Sequence, residues 1–163
     1  MGEKLNNQQG LFSRWFVIPL RTLESIPNGD GGFIALATSC FLYERYAIAR
    51  LKRSGKKANR LSLIKQLSDD FETNEDTAKA FWDVIRDGIL HQGMPKQSNQ
   101  GKTDLPGYIF HHSFAFPVEL VKMGTEPVLK IQPWLFMSKV LDLCQDDIGL
   151  LIENNSFPFP KIM

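Results

Sequence analysis

Apolar positions recur at helical spacing through most of this chain and give way to a β-like pattern only between residues 108 and 132. Leu11 to Ser25 reads as a helical or broken-helical segment interrupted near Pro19, and Pro27 to Gly32 reads as a turn built of residues that tolerate positive φ. A long helix follows from Phe33 to about Arg53. Its first half is apolar nearly all round and its second half is basic, stopping at Ser54-Gly55. A shorter helix covers Arg60 to Asp70. Thr73 then reads as an N-cap with Asp76 three residues on, opening a helix that carries Ala78, Phe81, Trp82, Ile85 and Ile89 as one stripe. Gly88 weakens that helix, and Gln92 to Pro95 ends it. Tyr108–Phe116 and Pro127–Gln132 have the composition of two strands of a small β-hairpin, with Gly124-Thr125 as turn residues. A last helix starts at Pro133 and places Trp134, Met137, Leu141, Cys144, Ile148 and Leu151 along a narrow seam. The expected fold is mainly α: a single domain over 1–163, a helical bundle with a β-hairpin insertion at about 108–132 before the last helix.

At 163 residues with 43% hydrophobic and 23% charged positions, the composition is that of an ordinary globular domain, which excludes disordered and collagen-like chains. A formal charge of +1 gives no whole-chain signature of nucleic-acid or membrane binding. Cys40 and Cys144 lie in apolar runs without metal-type spacing, so both are expected as buried free thiols. The N-terminal residues lack the apolar core of a signal peptide, and the longest apolar stretch, Phe33 to Tyr43, falls well short of the roughly twenty residues a membrane span needs. A cytoplasmic protein with no membrane partner is the simplest expectation.

The local charge pattern is less neutral. From Arg45 to Lys65 there are eight basic residues and no acidic one. Of these, Arg45, Arg50, Arg53, Lys56, Lys57 and Arg60 are candidates for contact with RNA phosphates. The bland alternative is a solvated helix end that carries the basic residues its dipole favours. Asp69 to Asp83 holds six carboxylates against Lys79, which is either surface or a partner for that basic run.

No phosphate-cradling glycine loop or nucleophile elbow is present. His111 and His112 are adjacent on a predicted strand, so their side chains should point to opposite faces, and no spacing around them suggests a metal site. Arg86, Asp87 and His91 differ, because they sit as polar groups among Ile85, Ile89 and Leu90. Five positions separate Arg86 from His91, about 140° around an α-helix. They meet only if the helix is distorted at Gly88 or if two copies of the chain pair across a two-fold axis. Otherwise Arg86 pairs with Asp83 or Asp87, and His91 simply sits favourably at a helix C-terminus.

The run Arg86-Asp87-Gly88-Ile89-Leu90-His91, on a helix rich in aromatics and preceded by a long apolar helix with Glu44 and Arg45 near its middle, resembles the Arg-x(4–6)-His motif of the HEPN superfamily. The resemblance covers roughly residues 30–95, and Asp87 fits the polar position that follows the arginine in that family. It implies a HEPN-like helical bundle and a homodimeric, metal-independent endoribonuclease that needs no cofactor, in a toxin or phage-defence setting. An antitoxin or regulatory protein is then an expected partner besides RNA. The implied roles are His91 as general acid–base, Arg86 as phosphate clamp and Asp87 as orienter. The chemistry suits these residues: RNA supplies its own 2′-hydroxyl nucleophile, imidazole exchanges protons near neutrality, and a guanidinium fork matches phosphate oxygens. Two readings compete with it. One is a HEPN-like module that dimerises or binds nucleotide or RNA without cleaving. The other is an unrelated helical regulatory or scaffold protein in which Arg86 and His91 are structural.

Overall fold

The computed structural model describes residues 8–97 and 105–152. It is mainly helical, with a small three-stranded sheet preceding the last two helices. Its residues fall into two compact units. The first is drawn from Met1–Ala58 and Met137–Met163 and the second is Asn59–Phe136.

In the first unit a helical run from residue 8 passes through a π-turn at Ser13–Val17 into α1 (Ile18–Thr22). Pro19 does not break the helix. It occupies the first turn of α1, where its missing N–H has no α-helical partner to lose, and the irregularity expected near it lies in the π-turn just before. Helix α2 (Gly32–Arg53) buries Leu36, Cys40, Tyr43, Ala47 and Leu51 along one side. It ends in a Schellman closure: Gly55 takes φ +70°, its N–H donates to the Lys52 carbonyl, and the Lys56 N–H donates to the Leu51 carbonyl (2.9 Å).

In the second unit α3 (Arg60–Asp70) spans the residues expected of it, closed by a capping box between Asn59 and Ser62. The next helix, α4 (Glu75–Phe81), is capped by Asn74 and not by Thr73. The Asn74 side chain accepts from the Thr77 N–H at 2.7 Å, while Thr73 is drawn into the end of α3, where its carbonyl accepts from the Ser68 hydroxyl. The chain continues helically through a π-turn at Trp82–Arg86 into α5 (Asp87–Gln92).

The sheet corrects the expected hairpin. Its strands are β1 (Gly107–Phe110), β2 (Val118–Met123) and β3 (Glu126–Ile131), in the order β1-β3-β2. The true hairpin joins β2 to β3 through Gly124 at φ +65°, and β1 runs parallel to β3 in the register Gly107↔Val128 to Phe110↔Ile131. Strand β1 stops after four residues, so His111 and His112 leave the pleat. Their rings stack on one another at 4.6 Å and do not point to opposite faces. Ser113 holds His111 by donating its N–H to Nδ1 at 3.1 Å.

The last helix is two: α6 (Pro133–Asp146) and α7 (Ile148–Ile152), with a turn at Asp147. Gln132 caps α6, its side-chain oxygen accepting from the N–H groups of Trp134 and Leu135. At the second unit's end of α6, Phe136 is fully buried between Phe71 and Phe81, each ring stacked on it at 4.7 Å. In the first unit α7 packs on α2, and Arg53 forms a forked ion pair with Asp147. Met137, Leu141, Cys144, Ile148 and Leu151 of the expected seam are buried and Trp134 is half-buried, but Val140 and Leu150 are equally buried, so the apolar face is wider than a two-helix contact needs.

Both cysteines are buried free thiols, and burial pushes the Cys144 thiol up to about 12. A thiolate is the reactive form, so the native protein at pH 8 should leave both unlabelled by iodoacetamide. Label should enter only as urea unfolds the chain, and mass spectrometry of a native digest showing alkylated Cys144 would contradict this packing.

Among the described residues no helix is long and apolar enough to cross a membrane.

Candidate functional site

The site grows out of the helical run that begins at the Asn74 cap. Its stripe Ala78, Phe81, Trp82, Ile85 and Ile89 is buried as the periodicity requires, and Val84 is buried with it. Ala80 and Thr77, on the same side of the helix one and two turns earlier, are buried as well, so the run is covered on more than the stripe's face. The N–H of Asp87 donates to the Trp82 carbonyl, five residues back, and α-geometry resumes at Asp87.

After α5 the chain reverses at Gly93 (φ +72°) and returns across the helix. The Lys96 N–H donates to the Val84 carbonyl at 2.8 Å. This crossing needs a glycine beneath it. A Cβ on Gly88 would lie 2.5 Å from the Lys96 nitrogen, 2.6 Å from the Met94 oxygen and 2.8 Å from the Pro95 carbonyl carbon, all backbone atoms. The residue that looked like a weak point in the helix is the one that lets the return segment dock.

Around this crossing the charged groups converge on Asp87. Its Oδ1 accepts from Arg86 Nη1 at 2.6 Å, and its Oδ2 faces Arg60 Nη1 at 3.2 Å and Lys96 Nζ at 3.8 Å. The Arg86 guanidinium also lies over the Trp82 ring, 4.8 Å from its centroid, which fixes it from a second side. Asp83 takes the other end of the Arg60 fork and accepts from Lys79 Nζ at 3.0 Å. Burial pushes the Asp87 carboxyl up, but the Arg86 hydrogen bond and charge, with Lys96 and Arg60 behind them, outweigh it. The net effect holds the group below its ordinary value.

A carboxylate depressed in the folded state adds stability above its unfolded pKa of about 3.9 and loses it as pH falls through the folded value. Asp87→Asn should therefore cost about 2 kcal/mol at pH 7, the scale of a charge-assisted hydrogen bond. Urea midpoints should show the gap between wild type and variant constant from pH 7 to about 5 and closing below about 4. A gap that does not begin to shrink as the pH falls below about 4 would remove the charge argument.

Asp83 and Asp87 open into a pocket of about 700 Å³ whose wall also includes Arg60, Lys96, Gln92 and Tyr108. Arg86 and His91 are not among its lining residues. His91 is exposed on the last turn of α5. The distortion expected at Gly88 is instead the π-turn that ends at Arg86, and because Asp87–Gln92 is regular α-helix the attachment points of Arg86 and His91 stay about 140° apart. The structure thus joins Arg86 to Asp87 and leaves His91 on a separate, solvent-facing side.

The basic run divides between the units. Arg45, Arg50, Arg53, Lys56 and Lys57 belong to the first, where Arg50 donates to the Tyr46 hydroxyl at 3.2 Å and Arg53 pairs with Asp147. Arg45, Lys56 and Lys57 are exposed. Arg60 belongs to the second unit and to the pocket. Lys96 and Tyr108 went unnoticed in the sequence, since each reaches the pocket through chain reversals with no local signature. Among the described residues no group of three or more His, Cys, Asp or Glu side chains is placed to hold a metal ion.

No family model matches the chain, and no curated protein or solved structure does either.

Proposed function

We propose that this protein is a HEPN-type endoribonuclease that cuts RNA as a homodimer, with Arg86, Asp87 and His91 supplying the chemistry. The observation that carries the reading is the clamp at Asp87. A buried-side carboxylate fixes one nitrogen of a half-buried arginine, Trp82 fixes its plane, and an exposed imidazole follows on the next helical turn. In the proposed step His91 takes the proton of a 2′-hydroxyl and the freed oxygen attacks phosphorus. The bond to the 5′-oxygen breaks, and that oxygen leaves with a proton. The second copy's histidine is suited to donate it, since a two-fold places two motifs around one linkage and removes the need for Arg86 and His91 of one chain to meet. Arg86 neutralises the charge building on the phosphoryl oxygens.

A second reading is favoured by one feature. Arg86 is already satisfied by Asp87 and Trp82, and His91 stands well round the helix from it, an arrangement that holds RNA or a nucleotide without cutting. Incubation of the purified protein with total RNA at pH 7 in EDTA separates the two. Fragments ending in 2′,3′-cyclic phosphate with 5′-hydroxyl partners are expected of the nuclease. Intact RNA retained in a gel shift supports the binding module instead.

A further inference from the structure

The turn that leaves β1 is built on a contact that only a neutral imidazole can make. Nδ1 of His111 accepts the Ser113 N–H at 3.1 Å, and the Ser113 hydroxyl lies 2.6 Å from the same nitrogen. A peptide N–H can only donate, so Nδ1 carries no proton here and His111 is the Nε2–H tautomer. The contact copies an Asx turn, in which a side-chain oxygen accepts from the N–H two residues on, except that an imidazole can take up a proton. The His112 ring is stacked on His111 at 4.6 Å, an arrangement that two imidazolium cations would oppose. His111 also meets Phe114 at 5.5 Å, and Lys130 of β3 lies over that phenyl ring at 5.4 Å. Glu119 of β2 is opposite Lys130 in the register, yet among the described residues no carboxylate pairs with either imidazole. His111, His112 and Ser113 are all exposed, so protons reach them freely. Buried Gln132 ties the turn to α6: its Nε2 donates to the His112 carbonyl at 3.0 Å while its Oε1 caps the helix.

We infer that the turn from His111 to Phe114 is a proton-operated latch, closed while its imidazoles are neutral and opened when they charge. Histidine side chains gain their charge between about pH 8 and 5. A proton on Nδ1 turns an acceptor into a donor that faces a donor. The Ser113 hydroxyl can rotate to accept it, but the Ser113 peptide N–H cannot, and loses its partner. Charging His112 as well sets two cations face to face, with Lys130 behind Phe114 as a third and no paired carboxylate to offset them. The closed turn holds fewer protons than the open one, so closure is favoured at high pH and lost as the pH falls through the imidazole range. Opening parts Phe114 from His111 and presents it beside Phe116, which is already 60% exposed. The acid form thus widens the apolar surface of this loop. Arg86, Asp87 and His91 take no part, so the latch is independent of the cleavage reading.

Amide hydrogen exchange of the full chain, read by NMR at about pH 7.5 and about pH 5.5 and expressed as protection relative to an unstructured peptide, tests this. Protection at Ser113 should fall about tenfold in the acid sample while the β3 amides keep theirs. His111→Asn is the non-titrating counterpart. Its Oδ1 can accept the Ser113 N–H as in an Asx turn, so protection should be the same at both pH values. His111→Phe keeps a ring for the stack but has no acceptor, so Ser113 should be unprotected at both. Proton–nitrogen spectra of the imidazoles should show His111 as the Nε2–H tautomer in the neutral sample. Ser113 protection that does not change with pH, or that falls as far in His111→Asn as in wild type, overturns the latch. An Nδ1–H tautomer of His111 in the neutral sample does so too. A loss shared by the β3 amides also overturns it, because the sheet would then be unfolding as a whole and the turn would have no transition of its own.

Discussion

Under the proposed cleavage mechanism, Arg86→Ala and His91→Ala should each lower RNA cleavage by at least about a hundredfold and leave the oligomeric state as it is in wild type. A positioned general acid–base contributes roughly 10²–10⁴ in rate, and a donor aimed at developing oxyanion charge contributes a similar amount. The two variants differ in what else they disturb. His91 is exposed on the last turn of α5, so its removal costs no more than a favourable helix-end interaction and the thermal midpoint should barely move. Arg86 is held between Asp87 and the Trp82 face, so its removal also leaves a carboxylate with weaker partners and costs stability. Arg86→Lys separates the two effects. It keeps the charge near Asp87 but gives up the planar fork, so it should recover much of the stability and little of the activity. Mixed dimers are a further check. Because the proposed site draws on the histidines of both chains, heterodimers of wild type with His91→Ala should lose most of their cleavage as well. Equal rates for His91→Ala and wild type, measured as initial velocities on the same RNA, would leave the imidazole without a role.

Much of the helical framework was legible because it is written in local terms. Arg60–Asp70 announces itself by its apolar spacing, and the stripe from Ala78 to Ile89 is buried where the periodicity places it. Errors arose where the deciding partner is distant in sequence. Thr73 and Asn74 are both competent caps, and the choice falls to Asn74 because Thr73 is engaged by Ser68 of the preceding helix. The aromatic run from Tyr108 to Phe116 has the composition of a nine-residue strand, yet β3 pairs with only three of its residues, Tyr108, Ile109 and Phe110. Val118–Met123 was overlooked because its apolar and charged positions do not alternate strictly, although it makes the longer ladder with β3. The candidate site divides the same way. Arg86, Asp87 and His91 stand out as polar groups in an apolar helix, while the pocket beside them depends on Arg60, Lys96 and Tyr108, which only the folded chain assembles. The π-turn has no sequence signal of its own, and Gly88 was read from propensity alone.

Gly88→Ala should destabilise the protein by about 3 kcal/mol even though alanine is the better helix former. Propensity alone predicts a gain of about 1 kcal/mol from removing a glycine inside a helix. Against it stands a methyl group placed 2.5–2.8 Å from three backbone atoms of Met94, Pro95 and Lys96, none of which can swing aside as a side chain would. The return segment must lift, at the 1–3 kcal/mol typical of overpacking. Lifting it also parts the Lys96 N–H from the Val84 carbonyl, which then stays buried without that donor at a further 1–3 kcal/mol. The steric and hydrogen-bond terms win, and for a chain of this size the thermal midpoint should fall by roughly 10 °C. Gly149, in α7, supplies the control, because its added Cβ meets nothing within 4 Å. Gly149→Ala should raise the midpoint slightly, so the two identical substitutions carry opposite signs. Since Lys96 rides on the displaced segment, Gly88→Ala should also part Lys96 from Asp87, whereas Gly149→Ala should not. Equal or greater stability for Gly88→Ala, read from urea midpoints, would mean that the 93–96 segment does not cross the helix at Gly88, and the pocket would lose the wall that Lys96 provides.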